Sequence, residues 1–181
     1  MKRPSLFFIL FFYLVLASCS SVEVGVYSDN QPKLVAEEFF NGRLTAHGIV
    51  KDMGGKVIRH FNAEINAYWQ EGIGTLEEDF VFDDGEKQRR VWKLTPNGET
   101  VDGNRRYIGT AGDVIGESDA TVAGNSLFME YVLRIPYNDS TLDITIDDRM
   151  YLVSPTVVIN ESTMKKFGVT VGQILLVIEK R

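Results

Sequence analysis

Residues 76–92 read LEEDFVFDDGEKQRRVW. Leu76, Glu78, Phe80 and Phe82 fall on every second position, and Trp92 and Leu94 resume that spacing beyond Asp83-Asp84-Gly85-Glu86. A period of two with an Asp-Gly break between the halves is the signature of a β-hairpin. The loop length then fixes which side chains share a face. A two-residue loop pairs Phe80 with Arg89 and throws Trp92 to the face opposite Phe82. A three-residue loop, Asp84-Gly85-Glu86, pairs Phe80 with Arg90 and Glu78 with Trp92. Only the second keeps Leu76, Phe80, Phe82, Trp92 and Leu94 together, so face matching selects it. Glu78 and Arg90 then become diagonal neighbours on the apolar face, within reach of each other's long side chains.

The same period runs outward in both directions. Phe61, Ala63, Ile65, Ala67 and Trp69 form one row, and Met129, Tyr131, Leu133 and Ile135 another. Leu142, Ile144, Ile146, Asp148, Met150 and Leu152 make a third. Turn signals separate the rows: Gly54-Gly55, Asp84-Gly85, Asn97-Gly98, Ala111-Gly112, Gly124-Asn125, Asn138-Asp139 and Gly168. Gly72-Ile73-Gly74 lies inside a strand pattern and reads as a bend. Nine or ten strands follow, with short loops and no long helix between them. Parallel pairing needs crossover helices, so the expectation is all-β: an antiparallel up-and-down β-barrel. Lys33–Phe40 has helical spacing and predicts a short N-terminal helix, stopped by Asn41-Gly42, whose Leu34, Phe39 and Phe40 plug or cap the barrel. Residues 160–167 (NESTMKKF) read as one helical turn over a barrel end. Val169–Ile178 is apolar on both faces and suits a covered strand.

The N-terminus carries an address. Lys2 and Arg3 precede an apolar run, Leu6–Leu16, and then Leu16-Ala17-Ser18-Cys19. That is the layout of a secretory signal, and the run is too short for a spanning helix of about 20 residues. The small residues ahead of the single cysteine resemble a bacterial lipobox. The resemblance implies acylation of Cys19 and cleavage before it. Ser20, where an inner-membrane retention signal has Asp, implies the inner leaflet of the outer membrane, facing the periplasm. The expected organisation is a signal peptide over 1–18, a flexible acylated tether over 19–32 and a single barrel domain over 33–181. The membrane is then a partner through the acyl chains on Cys19.

Charge and composition narrow the function. The chain has a formal net charge of −6 at pH 7 and becomes more acidic once Lys2 and Arg3 are removed. Without a basic patch to neutralise phosphates, nucleic acid is not expected as a partner. With Cys19 acylated, no thiol remains for a disulfide, a metal site or a nucleophile. His47 and His60 are the only imidazoles and lack ligand spacing, so no metal or other cofactor is expected.

Five stretches, GRLTAHG, LEEDFVFDDGEKQRRVW, GNSLFMEYVLRIP, DDRMYL and NESTMKKFGV, together resemble the DUF3833 family of bacterial lipoproteins across nearly the whole mature chain. The resemblance implies a lipocalin-like (calycin-like) barrel and supplies no activity. Arg149 stands where the family's common form DDWMYL has Trp.

By strand parity the apolar faces also carry Glu78, Arg90 and Asp148, with Tyr107 alongside. Charges on a buried face must be paired or hydrogen-bonded. In one reading Glu78, Arg90 and Asp148 form a closed network that fixes barrel register. In a second, Arg90 receives the carboxylate or phosphate head of a lipid or fatty acid, Trp92, Phe80 and Phe82 line its tail, and the acids orient the guanidinium. In a third, Glu78 and Asp148 form an acid–base pair in a lipid-modifying or isomerising enzyme. No GxSxG, phosphate loop or HExxH accompanies them, and no catalytic residue is assigned. The expected function is binding or carrying a small hydrophobic or amphipathic ligand in the lumen. An envelope interaction module with a packed interior is the alternative.

Overall fold

The computed structural model describes residues 21–137 and 139–181. Ten antiparallel strands close on themselves: β1 (Gly42–Asp52), β2 (Val57–Gln70), β3 (Ile73–Phe82), β4 (Lys87–Glu99), β5 (Arg105–Thr110), β6 (Ser118–Ala123), β7 (Ser126–Tyr137), β8 (Ser140–Ser154), β9 (Val157–Lys166) and β10 (Val169–Lys180). β1 completes the barrel by pairing Leu44 with Ile65 of β2 on one side and with Lys180 of β10 on the other. Sequence neighbours pair throughout, which is the expected up-and-down meander. The rows read from the sequence point inward: Phe61, Ala63, Ile65, Ala67, Trp92, Leu94, Met129, Leu133, Ile144 and Ile146 are all buried.

One end is closed. A single turn of helix, α1 (Ala36–Phe39), lies there with Leu34, Ala36, Phe39 and Phe40 buried. Each large apolar side chain of that set contributes about 1.5–3 kcal/mol on burial. Trp69 donates its indole N–H to the Phe40 carbonyl at 2.9 Å, and Lys180 donates to that of Glu38. Ser21–Pro32, expected as a slack tether, instead runs along the barrel wall at this end. Its 3-10 turn (Val24–Tyr27) sets Tyr27 edge-on against Phe128 and Tyr151, with ring centroids 5.7 and 5.5 Å away. Leu34 N–H then bonds the Gly124 carbonyl at 2.8 Å. The signal peptide and Cys19 lie outside the described residues. No helix among the described residues is long and apolar enough to cross a membrane.

The key hairpin differs from expectation by two residues of register. Glu78 sits directly opposite Arg90, Leu76 opposite Trp92 and Phe80 opposite Gln88. The loop has three residues, as expected, but they are Asp83-Asp84-Gly85. Phe82 N–H bonds the Glu86 carbonyl, and Gly85 N–H bonds that of Phe82. Such a loop needs a left-handed residue at its third position, and Gly85 meets that need with φ +86°. Placing Gly85 in the middle of the loop cannot. A shift of two leaves every side chain on its expected face.

Three other local readings change. Residues 160–167 are strand through Lys166, then turn, instead of a helical turn. Glu71-Gly72 is a tight hairpin turn with φ of 53° and 79°, so Gly72 lies between β2 and β3 instead of bending a strand. Asn97-Gly98 is a bulge within β4, and the chain reverses later, at Thr100–Asn104.

β5 and β6 have only 6 residues each, against 13 in β4 and 12 in β7. β4 meets β5 from Lys93 onward, so Lys87–Trp92 has a ladder partner only in β3 among the described residues. The 111–117 loop covers that gap. Val114 bridges Leu133, Ile115 N–H bonds the Val132 carbonyl at 2.9 Å, and Arg134 N–H bonds that of Asp113 at 2.8 Å.

Candidate functional site

The barrel is hollow. A cavity of about 480 Å³ runs from Phe40 at the closed end towards Arg59, Phe82 and Glu86 at the mouth. Its walls are mainly apolar, with Leu76, Trp92, Met129, Ile146 and Ile178 among them. A volume in the range of about 300–1,000 Å³ is that of small-molecule sites. The packed interior of the alternative reading is therefore corrected: side chains line this centre and do not fill it. Ala46 lines the hollow, where a larger residue would occupy the space.

Six of the sequence-derived residues line the cavity: Glu78, Phe80 and Phe82 from β3, Arg90 and Trp92 from β4, and Asp148 from β8. Alternation brings them together, since each lies on an inward position of its strand. Phe80 and Phe82 pack near the mouth against Phe61, both with centroids 5.6 Å from it. The Phe61 ring occupies the space a Cβ on Gly48 would need, approaching that position to 2.3 Å. Trp92 meets Tyr131 edge-to-face at 5.1 Å.

Tyr107 is not part of the lining. It is buried below the cavity, where its hydroxyl donates to the Glu37 carboxylate, 2.9 and 3.0 Å from its two oxygens. Burial and that anionic partner push its pKa up. Glu37 also pairs with Arg105 at 3.1 Å. Tyr107 thus locks the N-terminal plug to β5.

Arg90 is also placed differently from the sequence reading. Its guanidinium is held by Asp113: Nε donates to Oδ1 and Oδ2 at 3.0 and 2.9 Å, and Nη2 to Oδ2 at 2.8 Å. Both partners are mostly buried, at 13 and 22% side-chain exposure, so this pair is far less screened than a surface bridge. It ties the unpaired stretch of β4 to the loop that covers the gap. Sequence parity could not find Asp113, because a loop residue has no alternation to place it.

Asp148 is buried and accepts two bonds on Oδ1, from Asn160 Nδ2 at 2.5 Å and Ser162 Oγ at 2.7 Å. Desolvation raises its pKa despite those bonds. Asn160 and Ser162 were missed because two polar residues on an inward face mask the alternation of β9. Tyr131 was legible, as it shares the inward row of Met129 and Leu133. Burial, reinforced by the Asp148 charge, holds its pKa well above the usual phenol value. Glu78 has no hydrogen-bond partner among the described residues. Burial pushes its pKa up to about 7, Arg90 opposes the rise, and Asp148 and Asp113 add to it.

At the mouth, Arg59 lies 3.7 Å above the Phe82 ring and bonds Asp84 and Glu86 at 2.6–2.7 Å. Among the described residues, no group of three His, Cys, Asp or Glu side chains is placed to hold a metal ion.

The solved structure of an S-type phycobiliprotein lyase, CPES, from Guillardia theta is similar in fold, with a TM-score of 0.56 at 12% identity, covering 89% of this chain and 98% of that one. At that identity the likeness shows the fold alone, a lipocalin-like barrel. No curated protein matches the chain. A family model described as a protein of unknown function (DUF3833) matches residues 13–180.

Proposed function

The chain belongs to the DUF3833 family, and on that premise we propose that it is a binding barrel that holds a small hydrophobic or amphipathic, lipid-like molecule in its lumen. The hollow of about 480 Å³ carries this reading. An empty apolar lumen forgoes packing that a few larger side chains would supply, and a ligand restores it. Below the charged mouth, Glu78, Arg90, Asp148, Asn160 and Ser162 supply the polar groups among otherwise apolar walls, so a ligand with an apolar body and a polar end matches the lumen.

The test is binding of a neutral fluorescent hydrophobe to the purified protein, with native mass spectrometry to detect any co-purified molecule. Binding at micromolar probe, lost in an Ala46→Phe variant that fills the lumen, is the expected result. No uptake by the unaltered protein sinks the reading.

The proposed setting is the periplasmic side of an outer membrane, with the chain held by acyl groups on Cys19. The greasy run ahead of Leu16-Ala17-Ser18-Cys19 supports it. Metabolic labelling with a radioactive fatty acid is expected to mark the wild-type chain and not Cys19→Ala.

A second reading has a specific observation behind it. Glu78 and Asp148 line the same lumen, one titrating near 7, as an acid–base pair would require. In an isomerising enzyme, Glu78→Gln abolishes turnover and leaves ligand affinity largely intact. In a carrier no turnover of the bound molecule is seen at all.

A further inference from the structure

The charges around the lumen do not balance. Two guanidiniums line it, Arg59 at the mouth and Arg90 within. Arg59 is held at the mouth through Nη2 by Asp84 and Glu86, its buried Nε having no partner among the described residues, and Arg90 by both oxygens of Asp113. Glu78 and Asp148 remain facing the interior, together with the Tyr131 hydroxyl. Glu78 accepts no hydrogen bond from the described residues, and the bonds to Asp148 land on Oδ1 alone. Every element around Glu78 can be assigned. β4 presents Arg90, the 111–117 loop Asp113, β8 Asp148 and β7 Tyr131. The inward residues of β2, Phe61, Ala63 and Ile65, carry nothing that titrates.

We propose that the lumen selects an amphipath whose polar end donates hydrogen bonds and carries no negative charge, a long-chain primary amine being the tightest class; this rests on the container reading above. A carboxylate or phosphate head would place another anion beside three carboxyl groups and one guanidinium already neutralised by Asp113. Low-dielectric walls make that repulsion far costlier than in water. An ammonium group instead finds Glu78, which accepts no hydrogen bond from the described residues, and the Oδ2 of Asp148, whose two bonds fall on Oδ1, and a hydroxyl finds acceptors in both. The acceptor surplus therefore inverts the role Arg90 would have as an anion receptor.

The proton on Glu78 tunes the preference. Below about 7 Glu78 is neutral, and an anionic head is repelled less. Above it the added negative charge favours an ammonium head further. Amine affinity thus rises, and carboxylate affinity falls, as pH increases through this window.

The experiment displaces the neutral dye N-phenyl-1-naphthylamine from the purified protein with dodecylamine, dodecanol and dodecanoate, one pH unit either side of the Glu78 transition. On the alkaline side dodecylamine is expected to bind about tenfold or more tighter than dodecanoate, equal to about 1.4 kcal/mol, with dodecanol between them. Glu78→Gln should flatten the pH dependence while leaving the acidic outer surface unchanged, which separates the lumen from non-specific attraction of a cation. Asp113→Asn, which releases the guanidinium, should shift the order towards dodecanoate. The unaltered protein decides the matter if either variant fails to fold. Dodecanoate binding as tightly as dodecylamine on the alkaline side overturns the proposal and leaves the container reading standing. Failure of the dye to bind at all removes the container reading first, and the selectivity with it.

Discussion

At the scale of single residues, Glu78 links the cavity to stability. The fold holds its proton up to about 7, whereas the unfolded chain releases it near 4.5. Between those values the unfolded state binds fewer protons, so stability falls as pH rises and the loss is complete above the folded value. The shift corresponds to about 3 kcal/mol. Glu78→Gln is therefore expected to raise the melting temperature at alkaline pH and to lose that advantage as pH falls towards 4.5. Thermal melts at both ends of the window check it, and an equal effect at the two ends would contradict the assignment. Phe167 offers a second case. It sits at a hairpin tip with φ of 51° and 93% exposure, a conformation that suits Asn or Gly far better than Phe. Phe167→Asn should gain about 1 kcal/mol in urea unfolding by relieving that strain. Alternation shows that Glu78 points inward but not its raised pKa, which depends on neighbours from four elements, and no hydropathy pattern shows the backbone angle of Phe167.

At the scale of elements, turn chemistry decides register where alternation cannot. Three hairpin loops share one build, with a left-handed glycine third: Gly55, Gly85 and Gly103, at φ of 82°, 86° and 78°. In each the glycine N–H bonds the carbonyl two positions before the loop's second residue, those of Asp52, Phe82 and Thr100. Gly85→Ala should cost about 1 kcal/mol by equilibrium unfolding, since Ala must adopt that angle too. Face matching between Phe82 and Trp92 was legible in the sequence. The two-residue slide was not, because it preserves faces and only the glycine's place in the loop distinguishes it. Gly124 tests the docked N-terminal segment. A Cβ there would approach the Tyr27 carbonyl oxygen to 1.7 Å, at a φ of 56°. Gly124→Ala is expected to release residues 21–32 from the barrel wall, read as faster proteolysis ahead of Leu34 with an unchanged strand signal in circular dichroism. Composition alone made that segment look slack, since Ser, Asp, Asn and Pro describe a linker as well as a docked strap.

At the scale of the whole molecule, the hollow predicts a ligand-dependent stability. A ligand that binds only the folded barrel stabilises it by about 2.7 kcal/mol at a concentration one hundred times its dissociation constant. A tight-binding amphipath should therefore raise the melting temperature of the protein and leave the Ala46→Phe variant unmoved, as differential scanning fluorimetry can show. The 111–117 loop belongs to this scale as well. Because β5 and β6 stop short, the wall is completed by a loop, and Arg90–Asp113 fastens it to β4. Asp113→Ala leaves a buried guanidinium unpaired and should cost about 3–5 kcal/mol.

By itself the sequence determined the strand number to within one, the all-β class, the meander and the inward set of Glu78, Phe80, Phe82, Arg90, Trp92 and Asp148. Period-two alternation and turn residues are local properties, written along the chain. Only the tertiary structure decided that the centre is hollow, that Tyr107 serves the plug, and that Asp113 rather than a ligand occupies Arg90. Those outcomes depend on volumes and distances between residues far apart in sequence, such as the 23 positions from Arg90 to Asp113. No local pattern encodes how such groups meet once the barrel closes.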